Sequence, residues 1–373
     1  MSAHLFSPLA LGPITLPNRI VIAPMCQYSA ADGDASDWHL HHLMTLAMSG
    51  AGLVIVEATA VERPGRITHG CLGLYSESNE KKLGDVLAAA KAVALPGTKF
   101  GIQLAHAGRK ASSRVPWQGG GPLQADQQPW STFAPSSLAF DTGWSVPEAL
   151  DEAGLVRIRD AFAQAARRAA RIGFDEVEIH LAHGYLLHEF QSPLSNRRSD
   201  RWGGDAAGRM AFPLSVARAV REAAPGSIAL GARITGSDWH PEGLAIADAI
   251  ALARALQAEG MHFACVSSGG NAPGLKIPAE PGYQVPFATQ VRQETGLKTR
   301  AVGLIAEPHH ADSIVRNGEA DMVAMARAFL DDPRWGWHAA ESLGVDLPYP
   351  PQYARVKGNL WPRAKLLQPQ SAA

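Results

Sequence analysis

The chain has 373 residues, of which 46% are hydrophobic and 18% charged, and its formal net charge is -1. That composition indicates a globular protein rather than a disordered one, and without a basic excess we expect no nucleic-acid partner. The N-terminus lacks a signal-peptide pattern and no apolar run reaches membrane length, so we expect a cytoplasmic protein that does not associate with membranes.

Eight short apolar runs, mostly rich in Val and Ile, alternate with longer stretches of helical periodicity. Continuous apolar runs are typical of strands covered on both faces, whereas apolar residues three and four positions apart indicate helices. The predicted strands are residues 20–25, 53–58, 100–105, 176–182, 229–234, 263–268, 300–303 and 322–326. The predicted helices include residues 151–172, 209–224, 246–259 and 308–317.

This alternation predicts an α/β fold with a parallel sheet, and eight strands are the number that closes a (β/α)8 TIM barrel. A doubly wound open sheet is the alternative, but no G-x-G-x-x-G follows the first strand, which disfavours a dinucleotide-binding Rossmann domain. We therefore predict one barrel domain over residues 1–355 and a poorly ordered C-terminal tail over residues 356–373.

One connection is abnormally long. Residues 106–150 show no clear element and are dense in Gly, Pro, Ser and Trp. A long loop inside a compact domain is usually functional or disordered. Because this one follows the third strand, on the side where barrel active sites lie, we predict that it is a lid.

Polar side chains recur at or just past the carboxyl ends of the predicted strands. In a barrel these ends meet at one mouth, where catalytic groups assemble. Six such residues are difficult to explain as side chains that only pack the core: Cys26, Gln103, His180, His183, Arg233 and Arg327.

The segment EIHLAHGYLL at 178–187 holds two imidazoles three residues apart and a phenol two residues later. His180 and His183 could be satisfied strand-end side chains, metal ligands, or a pair that polarises a substrate oxygen. In the last case Tyr185 would be the proton donor. No matching carboxylate or third histidine stands at a compelling spacing, and the three cysteines show no metal-binding spacing, so we expect no metal.

Residues at the ends of other predicted strands are suited to binding a cofactor. Cys26 is either an inert thiol, or a nucleophile or cofactor contact. Phosphate in barrels often binds after strands seven and eight, where Gly303 would allow close backbone approach and Arg327 could clamp it bidentately. Arg233 needs a partner if it is interior, and an anionic cofactor ring would suffice.

With these residues the chain resembles the old yellow enzyme family of ene-reductases, specifically its bacterial xenobiotic-reductase branch. The resemblance extends over roughly residues 4 to 355. It is carried by PMCQY at 24–28, EATA at 57–60, QLAHAGRK at 103–110, HLAHGYL at 180–186, SNRRSD at 195–200 and ARA at 326–328.

The resemblance implies that FMN binds at the barrel mouth. The residues it implies around the isoalloxazine ring are Pro24, Met25, Cys26, Ala58, Gln103 and Arg233. Those it implies around the ribityl phosphate are Gly303, Ala326 and Arg327. It further implies that Cys26 tunes the reduction potential of the flavin and that His180 and His183 hold the substrate oxygen. Tyr185 would donate a proton, and Tyr28 would line the substrate site.

By the same resemblance, NAD(P)H reduces the flavin, which then reduces the activated C=C bond of an α,β-unsaturated carbonyl or nitro compound. The segment QYAR at 352–355 resembles the ending of bacterial members in which an arginine reaches a neighbouring active site. We therefore expect a homodimer or homotetramer in which Arg355 contacts substrate across the interface. The alternatives are another FMN barrel reductase, or a metal-dependent barrel lyase or hydrolase that uses His180 and His183.

Overall fold

The computed structural model describes residues 3–357 and 360–361. Eight parallel strands close into a barrel in which each strand pairs with its neighbours in chain order and the last pairs with the first. The predicted TIM barrel is confirmed. The strands are β1 (Ile20–Ile22), β2 (Leu53–Ala60), β3 (Lys99–Ala105), β4 (Glu176–Leu181), β5 (Ala229–Thr235), β6 (Phe263–Ser267), β7 (Lys298–Ala301) and β8 (Met322–Met325).

Several predicted strand boundaries differ from the observed ones, and at two of them a single residue explains why the strand ends early. β1 ends at Ile22 rather than at position 25, because Pro24 lacks the N–H group that would continue the ladder. β7 ends at Ala301 rather than at position 303, because Gly303 has a φ of +120°, which is outside the extended region.

Helices connect the strands on the outside of the barrel. They are α1 (Asp37–Ala47), α2 (Glu77–Val93), α3 (Glu152–Ile172), α4 (Leu186–Gln191), α5 (Ala206–Ala223), α6 (Ile246–Ala258), α7 (Val285–Thr295), α8 (Pro308–Arg316), α9 (Arg327–Asp331) and α10 (Trp335–Ser342). The four helices predicted from periodicity are all present, and none of their ends is shifted by more than three residues.

Helix α3 shows how sequence produces these elements. The Asp151 side chain accepts a hydrogen bond from the Gly154 N–H at 2.8 Å and caps the first turn. Leu155, Ile158 and Phe162 recur on one face and are buried against the barrel. Burying each of these side chains contributes about 1.5–3 kcal/mol to folding.

An N-terminal hairpin, which the periodicity did not reveal, covers one end of the barrel. Its strands Leu9–Leu11 and Ile14–Leu16 pair antiparallel, and their buried leucines pack with Val21, Leu53 and Phe263 from the barrel strands. Strands of three residues are too short to display a period of two. Since these partners lie near the strand starts, the hairpin leaves the opposite mouth for the site.

The long connection after β3 is less irregular than we expected. It contains three short 3-10 turns, and Phe133–Ala134 pairs in parallel with Glu148–Ala149. Its start is anchored, since the buried Arg109 donates through Nη2 to the Asn271 carbonyl oxygen at 2.8 Å, in the loop that follows β6. The predicted single domain and the lid function stay predictions.

The C-terminal segment packs against α10. Residues Pro351–Val356 form a 3-10 turn, and the Tyr353 ring lies 6.0 Å from that of Trp337. Residues 356–373 form the tail that we predicted to be poorly ordered, and most of them, namely positions 358–359 and 362–373, lie outside the described residues. In the described part of the chain no helix is both long and apolar enough to cross a bilayer.

Candidate active site

The barrel brings most of the predicted site residues to one mouth. His180 is the second-last residue of β4, and Gln103 and Arg233 each lie two residues before the ends of β3 and β5. Arg327 begins α9, directly after β8. Neighbouring strands therefore present these side chains to the same space, as their positions in the sequence predicted.

A tight turn after β4 assembles the two histidines and the tyrosine. The His180 ring lies 5.0 Å from those of both His183 and Tyr185, and is nearly perpendicular to each. His183 has a φ of +60° and Gly184 one of +70°. A Cβ atom at Gly184 would lie 2.2 Å from the Gly270 carbonyl oxygen, so only glycine permits this turn.

Both imidazoles are neutral hydrogen-bonding groups. Burial, reinforced by the positive charge of Arg233, lowers the pKa of His180 and of His183 well below the usual value. The His180 Nδ1 accepts from the Ala182 N–H at 3.3 Å, so the ring proton is on Nε2, which can donate to a ligand. The His183 Nε2 lies 2.7 Å from the Ser267 hydroxyl, which fixes the orientation of that ring.

Tyr185 keeps its phenolic proton. Burial raises its pKa well above the ordinary value, and the neighbouring Cys26 and Tyr28 raise it further. These three side chains, from the ends of β1 and β4, therefore share one electrostatic environment. A phenol held in this form can act as a proton donor.

Lys110 is a site residue whose role the sequence analysis missed. Its Nζ donates to the carbonyl oxygens of His183 and Gly270 at 2.8 and 2.9 Å, and lies 5.3 Å from the centre of the Tyr185 ring. Burial lowers its pKa to about 8. The only available signal was its place in the charged segment 103–110 after the third strand.

The segment after β1 supplies a protonated thiol. Burial, with a contribution from the Glu57 carboxylate, raises the pKa of Cys26 well above its ordinary value, which disfavours a thiolate nucleophile. Glu57 accepts a hydrogen bond from the Gln27 N–H at 3.1 Å and lies 3.3 Å from the His39 Nε2. Glu57 of β2 therefore contacts both the segment after β1 and helix α1 beside the site.

The remaining residues of this part of the site line its wall. Pro24, Met25 and Tyr28 are half-buried, and the Tyr28 ring meets the ring of Trp117, from the connection after β3, edge to face at 5.7 Å. Ala58 is buried and follows an irregularity of the β2–β3 pairing at position 57. It lines a small pocket together with Tyr185.

A cavity of about 320 Å³ extends from this centre to the ends of β7 and β8. Its lining includes His183, Arg233, Gly303, Ala326 and Arg327. A Cβ atom at Gly303 would come within 3.0 Å of the Gln284 Nε2 and would narrow the cavity. Arg233, which was predicted for the ring, therefore lines one continuous space with the three residues that were predicted for the phosphate.

Two polar groups in this region are suited to FMN. In the described chain the Arg233 Nε is buried without a hydrogen-bond partner, as is expected of a guanidinium that meets an anionic ligand. Gln103 uses its Nε2 to donate to Glu178 at 2.7 Å, and within residues 3–357 and 360–361 nothing donates to its Oε1. With an exposed Arg327 at the far end, the cavity fits a flavin ring and its phosphate.

Size alone does not identify the site. A larger groove of about 630 Å³ is lined by residues that include Asp32, Arg63, Arg66 and Trp130. Asp32 lies 2.7 Å from the Arg63 Nε and 3.3 Å from the Arg66 Nη1, so it partly neutralises both guanidinium groups. None of the predicted cofactor or substrate residues lines this groove.

Two further observations concern the predictions. Among residues 3–357 and 360–361, no three or more His, Cys, Asp or Glu side chains are grouped so that they could hold a metal ion. Arg355 is exposed in the C-terminal turn and is not among the residues that line the cavity of its own chain.

Comparison with known proteins gives concordant matches. The model of the NADH:flavin oxidoreductase / NADH oxidase family matches residues 4–345. An NADPH dehydrogenase of Geobacillus sp. (strain WCH70) is 42% identical over 357 residues, which cover 95% of this chain and 99% of that protein. One of Bacillus subtilis (strain 168) is 39% identical with the same coverage. The structure of morphinone reductase superposes with a TM-score of 0.76 at 27% identity, covering 94% of this chain and 93% of the other.

Proposed function

Because this chain belongs to the NADH:flavin oxidoreductase / NADH oxidase family, the old yellow enzyme family, we propose that it reduces activated C=C bonds of α,β-unsaturated carbonyl or nitro compounds. Family membership makes the chain an oxidoreductase that carries FMN and takes electrons from NAD(P)H. The expectations for family, cofactor and electron donor are thereby confirmed, whereas the substrate class and the two-step mechanism are part of the proposal.

The arrangement of His180 and His183 supports binding of a substrate oxygen. Both rings are neutral and meet nearly at right angles. When the Ser267 hydroxyl donates to the His183 Nε2, the proton of that ring is on Nδ1, and each histidine can then donate one N–H to the same carbonyl or nitro oxygen. Negative charge grows on that oxygen as the double bond is reduced. Hydrogen-bond donors that are already oriented stabilise this charge more in the transition state than in the bound substrate.

FMN, when bound, supplies the redox chemistry: it takes a hydride from NAD(P)H and delivers a hydride to the β carbon of the substrate. Tyr185 completes the addition by giving its phenolic proton to the α carbon. The reaction then balances as addition of one hydride and one proton across the double bond. Solvent reprotonates the phenol before the next cycle.

The other predicted residues hold the cofactor and shape the access to it. In this proposal Pro24, Met25, Ala58, Gln103 and Arg233 surround the flavin ring, and the phosphate lies among Gly303, Ala326 and Arg327. The last three residues line the cavity together with Arg233. Cys26 remains a thiol, since its pKa is raised by burial and by Glu57. In this proposal the thiol adjusts the reduction potential of the flavin. Tyr28 lines the entrance, where it contacts the Trp117 ring.

The proposal includes a shared site in a homodimer or homotetramer. Arg355 would enter the active site of a neighbouring subunit, which is compatible with its exposure at the end of a proline-stiffened turn. A guanidinium suits the edge of an anionic flavin or a substrate oxygen.

The observation that carries the proposed function is the cluster of neutral His180, neutral His183 and protonated Tyr185 beside the cavity that fits FMN. Rapid mixing under anaerobic conditions tests it. NADH or NADPH should bleach the flavin of the holoenzyme, and cyclohexenone or a nitroalkene should restore its colour with formation of the saturated product. A flavin that NADPH reduces but that neither acceptor reoxidises would contradict the proposal.

A further inference from the structure

An ionic network lies inside the barrel, below the proposed flavin site. The Glu178 carboxylate accepts from the Gln103 Nε2 at 2.7 Å and from the Arg300 Nη1 at 2.9 Å. The Arg300 Nη2 donates to Glu176 at 2.8 Å. Arg300, Glu176 and Glu178 have no exposed surface.

Filling the barrel interior with buried charges has a high cost in desolvation free energy. Removing charges from water costs several kcal/mol for each ion, and apolar side chains of similar volume often serve equally well. Two groups remain imperfectly paired, since in the described chain neither the Arg300 Nε nor the Glu176 Oε1 has a hydrogen-bond partner. Stability alone therefore does not account for the arrangement, and the contact with Gln103 connects it to the site.

The Glu178 carboxylate determines which way the Gln103 amide faces. An ionised carboxylate only accepts hydrogen bonds, so it selects the NH2 end of the amide. Arg300 holds the second carboxylate oxygen and stacks on the Phe263 ring with 4.4 Å between its Cζ and the ring centre. The carbonyl Oε1 of Gln103 is left as the free end of the amide.

We propose that Glu178 and Arg300 are positioning residues for the flavin: they hold the Gln103 amide so that its carbonyl oxygen accepts a hydrogen bond from the pyrimidine N–H of FMN. This rests on the proposed role of Gln103 as a flavin contact. An amide without this restraint can turn by 180° and present its NH2 group to the N–H of the flavin. Two hydrogen-bond donors would then face each other in a buried site. This would weaken the binding of FMN and change the reduction potential of its ring.

Release of FMN from the holoenzyme and the flavin reduction potential test this proposal. Glu178→Leu should raise the FMN dissociation constant about 10-fold or more, because a buried donor loses its partner and the amide is freed. It should also shift the reduction potential and the flavin absorption bands. Glu178→Gln, which still offers a carbonyl acceptor, should recover part of the affinity. Glu176→Gln is the matched comparison, since Glu176 bonds to Arg300 but has no hydrogen bond to Gln103 and the new amide oxygen can still accept from Arg300. It should change FMN binding less than Glu178→Leu does.

A double-mutant cycle separates positioning from a general effect on the fold. Gln103→Leu alone should weaken FMN binding, and Glu178→Leu should have little further effect in that background. If Glu178→Leu weakens binding equally with and without Gln103, it acts through the fold and the proposal is overturned. If Gln103→Leu has no effect on FMN binding, the proposal also fails, but enone reduction by the same holoenzyme would still support the proposed function. Should Glu178→Leu not fold, Glu178→Gln and Arg300→Lys carry the same comparison.

Discussion

The imidazole of His180 stands edge-on to the phenol of Tyr185, with 5.0 Å between ring centroids and an interplanar angle of 84°. In the proposed mechanism the first ring binds the carbonyl oxygen, and the second protonates the α carbon, which is bonded to the carbonyl carbon. Because the two residues are separated by one turn after β4, their relationship depends on the left-handed backbone at His183 and Gly184. The same turn therefore sets the relative position of the proposed oxygen-binding and proton-donating groups.

Removal of the Tyr185 hydroxyl should slow one half-reaction only. In Tyr185→Phe we expect reoxidation of the flavin by an enone to fall about 10²–10⁴-fold, the range typical of a lost general acid. Flavin reduction by NAD(P)H requires no proton from the phenol, so its rate should be nearly unchanged. Stopped-flow absorbance measures both steps.

Tyr349→Phe is a suitable control for this experiment. Tyr349 stacks on Trp337, with 4.3 Å between the ring centroids, next to the C-terminal turn and not in the cavity. It should leave both half-reactions unchanged. Equal rates of enone reduction in Tyr185→Phe and the parent enzyme would disprove the assignment of the proton donor.

Replacement of Cys26 should alter the flavin rather than abolish catalysis. Since burial and Glu57 keep the thiol protonated, Cys26→Ala should shift the reduction potential and change the ratio of the two half-reaction rates. Spectroelectrochemistry and stopped-flow absorbance measure these two effects, and Cys26→Ser separates the effect of polarity from that of size. Complete loss of turnover with FMN still bound would instead indicate covalent catalysis by the thiol.

The stability of the protein should depend on pH through Glu176. Burial raises the pKa of this carboxyl to about 7, although the charge of Arg300 opposes the shift. In the unfolded chain its pKa is about 4.3. The folded state therefore binds the proton more tightly, and the contribution of Glu176 to stability is lost as the pH rises from about 4.3 to about 7.

Glu176→Gln removes this titration. We expect the free energy of unfolding of the variant, taken relative to that of the parent, to increase by on the order of 2 kcal/mol as the pH rises from 5 to 8. Denaturant unfolding of both proteins at a series of pH values measures the difference. Burial also raises the pKa of Glu189, to about 8, but its effect is common to both proteins and cancels. A difference that does not change with pH would contradict this prediction.

Truncation before Tyr353 should weaken substrate binding and loosen the oligomer together, if Arg355 completes a neighbouring site. Arg355→Ala tests the side chain alone and should raise the KM for the enone, because a charged hydrogen bond is lost. Sedimentation velocity and steady-state kinetics report the two effects. Arg167→Ala, at an exposed position of α3, is the control. Unchanged sedimentation and kinetics in the truncated protein would show that Arg355 belongs only to the tail.

Much of the fold could be predicted from the sequence, because buried parallel strands and amphipathic helices leave periodic patterns. The eight strands and the helix 151–172 were recognisable for that reason. The hairpin Leu9–Leu11 and Ile14–Leu16 was not, since three residues carry too little pattern. Strand ends were misjudged where a single residue, such as Pro24 or Gly303, interrupts the ladder.

The candidate site likewise has features that could be predicted from the sequence and features that could not. The positions of Gln103, His180 and Arg233 near strand ends were sufficient to predict that they share one mouth. The alternation of Glu176, Glu178 and His180 also indicates that these side chains share one face of β4. Arg300, which pairs with both glutamates, could not be identified from a local pattern, because it is 122 residues beyond Glu178 in the chain.

The sequence by itself therefore determined the barrel, the family and the set of polar side chains at the strand ends, because periodicity and residue type are local properties. Only the tertiary structure decided how those side chains are used: that Lys110 lies beside Tyr185, that Ser267 orients His183, and that a buried network holds Gln103. The physical reason is closure of the barrel. Closure sets the register between strands that are distant in the chain, and the resulting loss of water determines which groups are charged, neutral or paired.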